Sequence, residues 1–421
     1  MRTARAHVDA TGLRVDIERI KRDVLALGEI GRDPEDRGVY RMGFSEADME
    51  GRRWLLARLA EAGAEAWMDG AGNVHGRIGR ADAPAVVVGS HTDTVPRAGM
   101  LDGALGVLCG LECLRALRER RDALPRAVEV VSFSDEEGRF GGMVGSEAFC
   151  GLLTPESLWF TALDGAVLRD EMARRGLDPM GALEARRPPE TIDAYLELHI
   201  EQGPVLDRAG EPVGLVDHIA GLVKWLVRFR GEANHAGTTP MELRRDAFMG
   251  LADFAHEIPR ILAENGGEHS RATIGKAAIL PGAPNTVPGE VEFSLDVRDT
   301  DAGVIADLTD ACRRALGAIA RRRGLMVDLE VQSEIAPVAC DPGLVDLLAE
   351  TARELGLPDR RMPSGAAHDA QILAGIAPAA MIFVPSREGQ SHAPAEWTDW
   401  ADVEAGATLL LNAVARRAGA R

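Results

Sequence analysis

The sequence predicts an α/β fold with a mostly parallel sheet, interrupted by an inserted α+β segment. Three observations predict it. An uninterrupted apolar run at 83–90 (APAVVVGS) and the apolar-rich runs at 127–134 (AVEVVSFS) and 194–200 (AYLELHI) suit strands buried on both faces of a sheet. Helical patterns alternate with these runs, as parallel strands require. Between residues 212 and 330 the texture changes to strands, helix, strands, helix, which reads as an α+β unit with an antiparallel sheet.

Taken in order, residues 47–63 (ADMEGRRWLLARLAEAG) have helical periodicity and lead through a Gly-Asn turn to a strand around 72–79 (GNVHGRIG). The first buried run ends at His91, a Gly-rich loop follows, and 103–119 is a helix. The second run ends just before Asp135-Glu136-Glu137, and the third at His199. In the middle, 213–231 reads as a hairpin of exposed-face strands, 241–263 as a helix, 271–298 as two strands and 302–323 as a long helix before LMVDLEV. The α/β pattern returns with a helix at 343–355, the strand AAMIFVPS and a closing helix at 400–417. The expected domains are therefore 1–211 with 331–421, and an inserted 212–330. A chain of 421 residues exceeds one comfortable core, which favours the same division.

A net charge of −18 argues against nucleic acid and anionic membrane as partners. No apolar run is long enough to span a bilayer, and MRTARAHVDATGLRVD lacks the apolar core of a secretory signal, so a cytoplasmic location is expected. The five cysteines are odd in number and scattered, which fits a reducing compartment. Cys109 and Cys113, four apart in an apolar helical run, read as core packing rather than as metal or redox groups.

Ligands gather at the carboxyl ends of strands in open α/β sheets. Three apolar runs here end in His91, the Glu136-Glu137 pair and His199. A strand-end imidazole can ligate a metal, and Asp93, two residues after His91, can fix its tautomer. Asp102 lies in a Gly-rich loop able to reach the same point. Adjacent carboxylates such as Glu136 and Glu137 face different sides of an extended chain, so one can bind a metal while the other handles protons. His199, His235, His368 and His392 sit beside Gly or Pro turn chemistry. Each feature alone has a bland alternative: a strand-end histidine with a solvated neighbour, an acidic turn, or a loop histidine satisfied by backbone. Together, His91, His199, His392, Asp102 and Glu137 suit two Zn²⁺-class ions. Paired metals roughly 3.5–4 Å apart lower the pKa of water and clamp an oxyanion. His7, His75, His218, His256 and His269 lack such surroundings and read as structural or solvated.

SHTDTVPRAG–LDGALGV, SDEEGRF, LHIEQGPVL, ANHAGTTPM–RRDAF, APNTVPG–V–FSLDVR and GQSHAPAE occur in that order over nearly the whole chain. They resemble the amidase, hydantoinase and carbamoylase family of two-zinc exopeptidase-like hydrolases. LHIEQG is the most specific, because it places a histidine where peptidase relatives usually carry an acidic ligand. The resemblance implies a two-metal catalytic domain and an inserted lid and dimerisation domain forming a homodimer. It implies that Asp102 bridges the ions, His91 and His199 complete one site, and Glu137 and His392 the other. Glu136 would be the general base and Asp93 would orient His91. His235, from the inserted domain, would reach into a partner subunit's site and stabilise the oxyanion, and Gln202, Asn285 and Arg298 would bind a small carboxylate-bearing amide or ureido substrate. The implied metal is zinc, with manganese, cobalt or nickel as alternatives.

The implied reaction is hydrolysis of the carbamoyl group of an N-carbamoyl-L-amino acid or a related ureido carboxylate. Alternatives on the same centre are allantoate, N-acyl amino acid or dipeptide, and aryl-amine hydrolysis. Departures from the family pattern bear on that choice. A residue is lacking between Gly138 and Arg139, Ala367 stands for Gly, Ala393 for Ser, and 217–224 lacks an expected Gln and Arg. A silent binding protein of this fold would have lost a ligand or the base, and none is lost.

Overall fold

The computed structural model describes residues 12–120 and 124–420; His7 lies outside them. The chain divides into two compact units. The first contains the described residues up to Asp217, Cys340–Met362 and those from His368 onward; the second contains His218–Ala339 and Pro363–Ala367.

The sheet of the first unit contains β1 (Glu65–Met68), β2 (Val74–Ile78), β3 (Ala85–His91), β4 (Ala127–Phe133), β5 (Ile192–Ile200) and β6 (Gly214–Ile219), with a further strand at Ala379–Val384. Their order is β1-β2-β4-β3-β5, then Ala379–Val384, then β6. Pairing is parallel through the centre, where β3 lies between β4 and β5 and Ala379–Val384 joins β5. It is antiparallel at both edges. All seven residues of β3 and all seven of β4 are buried, as runs of β-branched residues covered on both faces must be. The helices Ala104–Arg120 and Trp400–Ala418 supply cover, and Cys109 and Cys113 lie buried in the first of them.

The expected hairpin at 213–231 does not form. β6 pairs with Ala379–Val384, whereas Gly221–Arg230 is a central strand of the second unit's sheet. The reason is visible in the alternation of GLVKWLVRFR. Trp225, Val227 and Phe229 are buried in a core with Phe254, Phe293 and Leu308, which an exposed hairpin could not provide. In this unit Gly221–Arg230 lies between Glu290–Asp299 and Met326–Ile335, all antiparallel, with Ala277–Leu280 and Arg271–Thr273 pairing to Glu290–Asp299. The helices Ala247–Asn265 and Ala302–Arg323 complete it. A boundary at 330 would cut Met326–Ile335, which pairs as far as Ile335 with Leu222, so the unit continues to Ala339. Among the described residues no helix is long and apolar enough to cross a membrane.

Behind β4, the buried His75 is stacked on Trp67 and held between Glu129 (Nδ1–Oε1 3.0 Å) and Asp69 (Nε2–Oδ2 3.1 Å). Burial alone would lower the imidazole pKa, but the hydrogen bonds and charges of Asp69 and Glu129 outweigh it and leave it raised. Burial would raise Glu129, but His75 and Arg187 bring it down to about 2. The stability from His75 is thus complete below its ordinary pKa of 6.5 and lost as pH rises through the raised value. That from Glu129 is present above its ordinary 4.5 and lost as pH falls toward about 2. In urea unfolding, the advantage of wild type over His75→Gln is expected to be full below the ordinary pKa of 6.5 and to narrow as pH rises above it; a widening gap would contradict a charged His75.

Candidate metal centre

Because β4, β3 and β5 are parallel neighbours, their carboxyl ends share one edge of the sheet, and His91 pairs in register with Phe133. His91 ends β3, Ser134-Asp135-Glu136-Glu137 follows β4, and His199 lies near the end of β5. The loop before the helix Ala104–Arg120 brings in Asp102, and the segment after Ala379–Val384 brings in His392. The structure gathers these side chains into two groups that could hold a metal ion. One is His91, Asp102 and His199, all buried; the other is Asp102, Glu137 and His392; within each, the ligand atoms lie within 4.8 Å of one another.

Asp102 belongs to both groups through different oxygens. Its Oδ1 is 3.1 Å from His199 Nε2, and its Oδ2 is 3.2 Å from His392 Nε2. His392 Nε2 is also 3.4 Å from Glu137 Oε2, and His91 Nε2 is 3.4 Å from Glu136 Oε2. The tautomers of two rings are set by carbonyls, which only accept. Nδ1–H of His199 donates to the Ile200 carbonyl at 2.9 Å, and Nδ1–H of His91 to the Asp93 carbonyl at 3.1 Å. Their Nε2 atoms therefore face carboxylate oxygens, which repel an imidazole lone pair unless a proton or a cation lies between, and that of His199 also receives the Gly103 N–H at 3.2 Å.

The charges strain in the same way. Burial pushes Glu136 and Glu137 well above the usual carboxylate range, and Glu137 and Asp102 respectively push them further. Burial pushes His91 down to about 4. Burial also acts downward on His199, but its hydrogen bond to Asp102 outweighs that and raises it to about 9. Asp102 is held well below its usual value by His199 and His392 despite its burial. Glu137 Oε1 is buried without a hydrogen-bond partner. An orphaned oxygen, inward-facing imidazole lone pairs and clustered carboxylates fit divalent cations by donor type and by charge.

Asp93 differs from expectation in detail. Its carboxylate lies 3.6 Å from His91 Nδ1, farther than its own backbone carbonyl. The carboxylate instead accepts the backbone N–H groups of Glu136 (3.3 Å) and Glu137 (3.1 Å), fixing the acidic turn. Gln202 donates Nε2–H to Asp102 Oδ2 at 2.8 Å. In the second unit, exposed His235 accepts Gly237 N–H at Nδ1, so its proton is on Nε2. Asn285 is beside it, its carbonyl accepting Ala236 N–H at 2.8 Å. Arg298 already donates through Nε and Nη2 to Asp296 and through Nη1 to the Gly365 carbonyl, which engages three of its five N–H groups.

Residue reasoning missed a third buried group, Glu197, His199 and His368. Glu197 is satisfied by Ser90 and Tyr195 hydroxyls and by Ala370 N–H, and the His368 ring meets His199 edge-on at 4.5 Å. An acidic residue inside the buried run AYLELHI was the available signal. Ser391 and Glu396 were also missed. Both contact Asp102, Ser391 at its carboxylate and Glu396 at its backbone N–H.

Fold and site together define a hydrolase of Peptidase family M20/M25/M40, whose sequence profile matches residues 87–416. Hydrolases of this family are generally metal-dependent, and the two groups around Asp102 are this chain's candidate ligands. The chain is 40% identical over 402 residues to the N-carbamoyl-L-amino acid amidohydrolase of Geobacillus stearothermophilus, covering 94% of this chain and 97% of that one. It is 36% identical over 389 residues to the allantoate amidohydrolase of Escherichia coli (strain K12), covering 91% and 94%. An amidase of the hydantoinase/carbamoylase family from Burkholderia multivorans superposes with a TM-score of 0.88 at 38% identity, covering 96% and 98%. The chain belongs to that hydantoinase/carbamoylase branch and is a hydrolase of C–N bonds other than peptide bonds.

Gly103 supports the site by lacking a side chain. A Cβ there would lie 2.3 Å from His91 Nε2, and its φ of +64° disfavours other residues. Gly103→Ala is expected to lower hydrolase activity at least about tenfold with an unchanged far-UV CD spectrum; wild-type turnover would mean that the loop yields freely.

Proposed function

We propose that this enzyme removes the carbamoyl group from an N-carbamoyl-L-amino acid or a related ureido carboxylate, using two divalent cations. The observation that carries the reading is Asp102, whose Oδ1 faces His199 and whose Oδ2 faces His392. His91 and His199 would hold one ion and Glu137 and His392 the other, with Asp102 shared between the two groups. Zinc suits imidazole and carboxylate donors, and manganese, cobalt or nickel suit the same set. When bound, the ions supply Lewis acidity toward the carbonyl and toward water.

The chain's own residues do the rest. Glu136 takes the proton of the attacking water and passes it to the leaving nitrogen. Its neighbour Asp93 keeps the acidic turn, and so the base, in place. His235 reaches into the site of the partner subunit and presents Nε2–H to the oxyanion developing there, a donor that the Gly237 contact favours. Asn285 and Arg298 bind the substrate carboxylate, Arg298 through the N–H groups that Asp296 and Gly365 leave over. Gln202, bonded to Asp102, contacts the substrate beside the centre. A carbamoyl substrate yields the free amino acid, carbon dioxide and ammonia. The second unit serves as a lid and as the surface of a homodimer. The enzyme works in the cytoplasm on a small substrate, and its net charge of −18 supports the absence of nucleic-acid or membrane partners.

A second reading, allantoate hydrolysis, is favoured by the 36% identity to the Escherichia coli allantoate amidohydrolase. A panel of N-carbamoyl-L-amino acids, allantoate, N-acetyl amino acids and dipeptides, read by ammonia release, separates the readings. Ammonia is expected from N-carbamoyl-L-amino acids, and Glu136→Gln is expected to lower that rate at least about 100-fold with unchanged metal content. Acyl release without ammonia would replace the proposal with an aminoacylase. Arg298→Ala is expected to raise KM about tenfold or more with little change in kcat; an unchanged KM would put the substrate carboxylate elsewhere.

A further inference from the structure

Asp102 serves two groups of ligands only if its loop is held in one place, and the structure shows what holds it. Glu396 is buried, 3% exposed. Its Oε1 accepts two consecutive backbone N–H groups, Leu101 at 2.9 Å and Asp102 at 3.0 Å. Its Oε2 is 3.2 Å from the Ser391 hydroxyl, which is also 2.8 Å from Asp102 Oδ2. One hydroxyl proton thus lies between the two carboxylates. Ser391 directly precedes His392, so the same side chain ties the Asp102 backbone to the segment that carries a ligand of the second group. Room for it comes from Gly99, where a Cβ would lie 2.3 Å from Glu396 Oε1.

A buried carboxylate that receives two N–H groups could be a loop brace and nothing more. The contact through Ser391 distinguishes it, because that contact reaches Asp102 Oδ2, the oxygen that faces His392. We propose that Glu396 is a positioning residue that fixes Asp102 as the bridge between two cations. It acts through the backbone of Asp102 on one side and through Ser391 on the other. The inference rests on the two-cation reading above, and its test keeps the two apart.

The test is Mn²⁺ binding to the full-length protein, by calorimetry for affinity and by electron paramagnetic resonance for magnetic coupling between the ions. Wild type is expected to take up a spin-coupled pair. Glu396→Ala is expected to bind the second Mn²⁺ about 10–100-fold more weakly and to lose the coupled signal. Glu396→Gln keeps an oxygen acceptor for both N–H groups and is expected to retain the pair, with affinity within about threefold of wild type. A mere brace would move thermal stability in Glu396→Ala and leave the coupling untouched, and that result overturns the inference. If Glu396→Ala does not fold, Ser391→Ala decides: it leaves the backbone clamp intact and is expected to weaken the coupled signal, and an unaltered pair overturns the inference. Uncoupled ions in wild type would instead overturn the two-cation reading itself.

Discussion

The carboxylate of Asp102 receives imidazole nitrogens from β5 and from the segment after the last sheet strand, an amide from Gln202 and a hydroxyl from Ser391, all while buried. A lone carboxylate taken out of water at such depth is costly unless it is fully paired. The parallel centre of the sheet makes the pairing available. It ends three strands side by side, so that His91, the Glu136-Glu137 turn and His199 meet at one edge without long connecting loops. The supporting groups extend from there. Asp93 fixes the acidic turn through its backbone, Glu396 fixes the Asp102 loop, and Glu197 braces the strand behind His199.

The centre is electrostatically self-opposed. Glu136 and Glu137 are adjacent and largely buried; burial pushes both toward neutrality, helped by the charge of Glu137 on Glu136 and of Asp102 on both. His91 and His199 respond in opposite directions in the same pocket, because only His199 bonds directly to Asp102. Such opposition would destabilise a purely structural core. A site that takes up positive charge uses it, since the same repulsions become attraction once cations are bound.

Much of this was legible in the sequence, for a physical reason. Strands buried on both faces leave a mostly apolar record, so 83–90, 127–134 and 194–200 were readable as strands, and the ionisable residues at their ends stood out. Gly221–Arg230 was misread because its alternation is equally that of a surface hairpin; which sheet it joins depends on Phe254, Phe293 and Leu308, far away in sequence. The supporting carboxylates were harder still. Glu396 and Glu197 are defined by what they bond, and Glu396 does so across 295 residues of sequence. The family resemblance supplied the roles of individual residues, which spacing alone left open.

Two of the imidazoles owe their tautomers to main-chain oxygens of the next residue or the next but one, Ile200 for His199 and Asp93 for His91. No side chain performs that duty, so no side-chain replacement can directly abolish it. Exchanging Ile200 for another apolar residue would leave the neighbouring ring's proton on the same nitrogen, because the acceptor is main chain. What must persist there is the direction of one peptide carbonyl, and that belongs to the backbone of β5.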